Sequence, residues 1–145
     1  MSKGVILYVG NFELPDCGAS ANRVVSNAKL FNQLGYQAAL LGVTRDAACG
    51  GIRVLQNDSG LLMYERPYPT STMQWFRHMT TADYVDEMLR LHGDIVLVIL
   101  YNMPFAALKA AKKACREKNP CCLRLHRMDG CNRRQRGKAL CQEAR

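Results

Sequence analysis

Four polar or permissive residues near the amino terminus, Gly10, Asn11, Asn22 and Arg23, supply two amides and a guanidinium beside a flexible position. Amides and a guanidinium set around the start of a helix suit an anion or a sugar hydroxyl, because the first N–H groups of a helix have no partner within it. Tyr101 and Asn102 close the longest apolar run of the chain, Ile95–Tyr101, and join them as candidate contacts, with Thr44 and Arg45 as weaker ones. Each has a plainer role open to it. Gly10 can simply permit a turn, Asn22 can cap or solvate a helix, Arg23 and Arg45 can be solvated, and Tyr101 can be a core residue. His78 and His92 have neither an acid nor a nucleophile close to them in sequence, so neither is assigned a catalytic role. Gly10 and Gly18 stand eight residues apart and no GxGxxG fingerprint occurs, which argues against an ordinary dinucleotide site. No cofactor or metal is implied.

Elements must hold these groups in place. Val5–Val9 is a short apolar run with β-branched and aromatic members, as a buried parallel strand requires. A helix from near Ser20 has Val24, Ala28, Phe31 and Leu34 as its apolar stripe and Gly35 as its stop. Gln37–Val43 reads as a second strand, Asp46–Gly51 as a loop, and Ile52–Leu55 and Leu61–Arg66 as short strands about an Asn57–Gly60 turn. Pro67–Thr72 reads as a polar connection. Thr80 or Thr81 caps a helix to about Leu91 with Tyr84, Val85, Met88 and Leu91 on one face. Asp94–Leu100 is a central strand, and Pro104 opens a helix over Phe105–Lys118 with a basic face. Alternating strands and helices predict an α/β fold with a Rossmann-like parallel sheet and flanking helices. The Gly10–Gly18 loop then leaves the carboxyl end of the first strand, where open α/β sheets gather ligands.

Composition narrows the class. The chain has 145 residues, 48% of them hydrophobic, enough for one core. Its net charge of +8 is uneven: residues 1–120 hold 13 Lys/Arg against 10 Asp/Glu, and residues 121–145 hold 7 against 2. No apolar run approaches the roughly 20 residues of a membrane span, and no leader pattern precedes the first strand. We therefore expect a cytoplasmic protein, with Cys17, Cys49 and Cys115 as scattered single cysteines in a reducing compartment. Trp75 and Phe76 are expected to pack a linker onto the domain or to touch an acceptor or membrane surface.

The string YVGNFELPD, then A-x-A-x-R-V-x-x-N-A-K, then L-G-Y, resembles the start of the family 4 glycosyltransferases, from Gly4 to about Asn119. These are retaining enzymes of GT-B fold. The resemblance implies that residues 1–119 form the amino-terminal, acceptor-side Rossmann-like domain. A second such domain binds the nucleotide-sugar donor, and the acceptor is a sugar or a lipid-linked sugar, with peripheral membrane contact. It also implies that the Gly10–Ala19 loop faces the cleft between the two domains, with Asn22 and Arg23 at the helix end below. Two domains do not fit in 145 residues, so this stretch alone is expected to be an inactive fragment.

From residue 120 the pattern changes to an irregular, basic and cysteine-rich tail. A metal site from Cys121, Cys122, His126, Cys131 and Cys141 matches no common zinc spacing. A basic arm through Arg133, Arg134, Arg136 and Lys138 would instead make the protein a non-enzymatic binding module for RNA or an anionic membrane. Without that arm, no specific nucleic acid is expected as a partner. A shifted reading frame is the third explanation. Read one base later, the codons of Met128 and Asp129 must yield Trp, and their neighbours permit Asp-Cys-Thr-Glu before it, which resembles the next segment of the same family. A different α/β enzyme, such as half of a sugar epimerase, is disfavoured by the missing glycine fingerprint.

Overall fold

A computed structural model describes residues 2–46, 49–55, 60–117 and 122–126. Among the described residues six strands form one mixed sheet: β1 (Val5–Gly10), β2 (Gln37–Thr44), β3 (Arg53–Leu55), β4 (Leu62–Pro67), β5 (Ile95–Tyr101) and β6 (Cys122–His126). Their order across the sheet is β3-β4-β2-β1-β5-β6. All neighbours pair in parallel except β3, which runs antiparallel to β4 at one edge. The helices described between them are α1 (Ala19–Gln33), α2 (Thr72–Thr80), α3 (Asp83–Leu91) and α4 (Phe105–Glu117). The chain is therefore an α/β protein, as expected.

Every residue of β1 is buried, since successive side chains point to opposite faces and both faces are covered. Val5, Leu7 and Val9 meet Val85 and Met88 of α3 and Ala107 and Ala111 of α4 on one face. Ile6 and Tyr8 meet Val24 and Ala28 of α1 on the other, together with Phe12 and Leu14 from the loop after β1. That loop is half core. Phe12 and Leu14 are buried, and the Phe12 carbonyl accepts the Val43 N–H of β2 at 2.8 Å.

Helix α1 ends in a Schellman arrangement at Gly35, whose φ is 90°: the Tyr36 N–H reaches the Phe31 carbonyl and the Gly35 N–H reaches that of Asn32. The expected stripe is shorter than drawn. Val24 and Ala28 are buried, but Phe31 is half-buried and Leu34 exposed, because Leu34 already belongs to the cap and leaves the sheet. On α3, Leu89 is buried with Val85 and Met88, whereas Leu91 is exposed. Neither Thr80 nor Thr81 caps α3. Both close α2, each hydroxyl donating to the Arg77 carbonyl.

Two elements lie where none was expected. Helix α2 occupies the presumed linker, and its start is a capping box in which the Ser71 hydroxyl accepts the Gln74 N–H and the Gln74 side-chain Oε1 accepts the Ser71 N–H. Residues 122–126 are not irregular: they form β6, paired with β5 from Leu97 to Tyr101. Strand addition uses main-chain groups, so an open edge accepts a sequence with little pattern of its own. Residues 118–121 and 127–145, with the basic arm, Cys121, Cys131 and Cys141 of the cysteine cluster and the Met128–Asp129 codons, lie outside the described residues, as do residues 57–59 of the expected Asn57–Gly60 turn. Cys17 and Cys49 are free, but Cys115 is disulfide-bonded, which corrects the expectation of three single cysteines and removes the support they lent to a reducing compartment. Among the described residues no helix is long and apolar enough to cross a membrane.

Candidate functional site

Four parallel strands bring their carboxyl ends together, with Gly10 level with Tyr101 across β1 and β5, and Thr44 level with Pro67 across β2 and β4. Strand order departs in opposite directions from β1, and the ends of β1 and β5 thus stand at the switch point where open α/β sheets gather ligands. Asn11 follows β1 directly. The Asn11 Nδ2 donates to the Asn102 carbonyl at 3.3 Å, and its Oδ1 accepts from Arg66 Nη2 at 2.9 Å. One amide thus ties the ends of three strands. Asn102 has a φ of 53°, a left-handed conformation that asparagine tolerates better than most residues.

The other candidates divide. A Cβ at Gly10 would collide with the Phe12 ring and come within 2.9 Å of the Tyr101 carbonyl, so close packing requires glycine there. Tyr101 is buried among Tyr8 and Phe12, and its hydroxyl lies 3.4 Å from Ser20 Oγ in the first turn of α1. Asn22 and Arg23 are exposed on that turn. No hydrogen bond among the described residues joins Asn22 to Asn11, Arg66 or Asn102; its carbonyl accepts Ser26 Oγ at 2.8 Å. The Thr44 hydroxyl accepts the Asp46 N–H, and Arg45 pairs with Glu13 of the β1 loop at 2.8 Å, with its guanidinium 5.6 Å from the Tyr68 ring. The structure gathers Gly10, Asn11, Tyr101 and Asn102 at the end of β1 and β5. It sets Asn22 and Arg23 on the helix surface.

Arg66 was not singled out in the sequence, yet it organises the polar groups beside Asn11. It is 6% exposed. Its neighbour Glu65 is buried too, but successive strand residues face opposite ways, and Glu65 pairs with Arg53 across the β3–β4 edge. No carboxylate among the described residues pairs with Arg66. Its guanidinium instead lies over the Tyr84 ring at 4.1 Å, with Nη1 3.5 Å from His78 Nδ1. His78 stacks on Tyr84 and meets the edge of Trp75, which packs on Tyr68. Trp75 makes these ring contacts while remaining partly open to solvent, and Phe76 is exposed, so the expected packing of the pair onto the domain is not met.

Arg66, Tyr68, His78 and Tyr84 line a cleft of about 390 Å³ between the end of β4 and helices α2 and α3, bordered also by Gln74, Arg77 and Asp83. Burial makes charge expensive here. It lowers the pKa of Arg66, and it pushes His78 down to about 4, with the Arg66 charge adding to the effect. It pushes the Tyr84 hydroxyl up to about 12. At neutral pH the floor therefore holds one cation, a neutral imidazole and a neutral phenol. Among the described residues no group of three His, Cys, Asp or Glu could hold a metal ion.

Comparison with protein-family models, with curated proteins and with solved structures returns no match.

Proposed function

We propose that residues 4–119 are the acceptor-side, Rossmann-like half of a GT-B glycosyltransferase resembling family 4. Sugar transfer needs an acceptor hydroxyl held against the anomeric carbon of a donor gripped by its diphosphate, with water kept out. One α/β lobe offers one wall of such a cleft, and a second lobe has to bind the donor. The observation that carries this reading is the amide of Asn11, set between Arg66 and the Asn102 carbonyl at the strand ends where β1 and β5 part. An amide presents both a donor and an acceptor, which is what a sugar hydroxyl asks of its partner. The ordered motifs from YVGNFELPD to L-G-Y support the family choice.

The test is mapping of backbone amide shifts with methyl glycosides and myo-inositol added as acceptor probes. We expect perturbations confined to Gly10, Asn11, Arg66 and Asn102. Perturbations scattered over the surface, or absent with every probe, would contradict the proposal.

A further inference from the structure

The cleft beside Arg66 contains two buried polar atoms that find no hydrogen-bond partner among the described residues: Arg66 Nε and the Tyr84 hydroxyl. Leaving such groups unsatisfied forfeits their solvation without return, most of all for a charged one. Cation–π contact with Tyr84 offsets part of the burial of Arg66, but it supplies no hydrogen-bond acceptor for Nε. Both atoms belong to residues lining the same cleft, and Arg77 stands at its mouth.

The carboxylates of the cleft do not supply what is missing. Asp83 is mostly exposed and engaged with Arg77 at 3.4 Å, and Glu87 is exposed on the next turn of α3. The charge of Asp83 is felt at the Tyr84 hydroxyl, where Arg66 opposes it, and the charge of Arg66 is felt at His78 as well. The rim is balanced. The floor is positive.

We propose that this cleft is a binding site for a phosphate monoester, whose oxygens accept from Arg66 and from the Tyr84 hydroxyl, with Arg77 released from Asp83 to close over it. A guanidinium presents its donors in a planar fork matched to phosphate oxygens. The proposal stands without the glycosyltransferase reading. Only the further step, that the phosphate is carried by a sugar acceptor, rests on it. The same phosphate chemistry is found on a soluble sugar phosphate and on a lipid headgroup. Helix α2 turns Met73, Phe76 and Met79 to solvent beside the cleft, so the lipid source needs its own arm in the experiment.

The experiment titrates the 145-residue chain at constant ionic strength with inorganic phosphate, with glucose 6-phosphate, and with phosphatidylcholine vesicles with or without phosphatidic acid, reading the imidazole signals of His78 and calorimetric binding. Saturable phosphate binding that raises the His78 pKa is expected, because an anion near the ring favours its charged form. Arg66→Lys should weaken binding about tenfold or more, since an ammonium lacks the fork. Should that variant not fold, Asn11→Asp provides an independent check. It sets a carboxylate where Arg66 Nη2 now meets Oδ1, and should displace phosphate. Tighter binding of glucose 6-phosphate than of phosphate supports a sugar-borne group, and binding confined to phosphatidic acid vesicles supports a lipid headgroup. Equal affinity for phosphate and glucose 6-phosphate keeps the anion site and overturns its link to a sugar acceptor. No saturable binding in any arm, or binding unchanged by both substitutions, overturns the site itself.

Discussion

A guanidinium enclosed without a carboxylate keeps its charge only if neighbouring groups compensate, and Arg66 spreads that duty over Asn11, Tyr84 and His78. Removing Asn11 by Asn11→Ala deletes the bond from Arg66 and the bond to Asn102 together. We expect a loss of about 2–3 kcal/mol in urea unfolding, because a hydrogen bond to a charged partner is worth roughly 1.5–3 kcal/mol. A second prediction concerns acid. His78 is neutral in the folded protein down to about pH 4, whereas in the unfolded chain it takes up a proton near pH 6.5. The unfolded state thus binds more protons in that window, so stability is intact above it and falls as the pH drops from 6.5 towards 4, by roughly 2–3 kcal/mol. Groups around the ring are Arg66, Trp75 and Tyr84, with Arg77, Asp83 and Glu87 bordering the cleft. Urea unfolding across this range should show the slope, and His78→Phe should flatten most of it. The remainder belongs to His92, which burial shifts in the same direction. An unchanged slope in the variant would place the acid sensitivity elsewhere.

Between elements, the loop after β1 and the start of α2 are the places where single atoms decide the packing. A Cβ at Gly42 would lie 2.5 Å from the Phe12 carbonyl and 3.1 Å from Leu14 Cγ, so Gly42→Ala must push the loop off β2. Overpacking of this kind costs about 1–3 kcal/mol, and more where the obstructing atom is backbone. A thermal midpoint equal to that of the parent chain would show that the loop does not rest on the sheet. Ser71→Ala removes the cap of α2, and a loss of about 1 kcal/mol is expected in the same assay. These contacts also show what sequence could and could not convey. Strands β1, β2 and β5 are contiguous apolar runs, and α1 combines a stripe with a Gly stop, so their positions were legible. Helix α2 has no buried apolar stripe, since only His78 is buried along it, and it exposes Met73, Phe76 and Met79. Its one local signal is Ser71 followed by Gln74 three residues on, a capping box that sits inside an apparently polar connection. Asn11 was legible because it follows a strand directly. Arg66 was not, because its burial depends on α2 and α3 folding over it, and nothing within β4 records that.

For the molecule as a whole, five parallel strands with one antiparallel edge put Gly10, Asn11, Arg66 and Asn102 on one side of the sheet, at the end where ligands collect in such folds. A glycosyltransferase of the proposed kind has to close a donor-binding lobe over that side. The central claim is thus that this lobe receives an acceptor and cannot transfer a sugar unaided. Its most direct measurement is release of labelled sugar from nucleotide sugars by the purified 145-residue chain, beside the product of the same gene translated in the alternative register after residue 119. No turnover by the first and transfer by the second is the predicted result. Transfer by the 145 residues alone, or an alternative register that encodes no second α/β lobe, would contradict it.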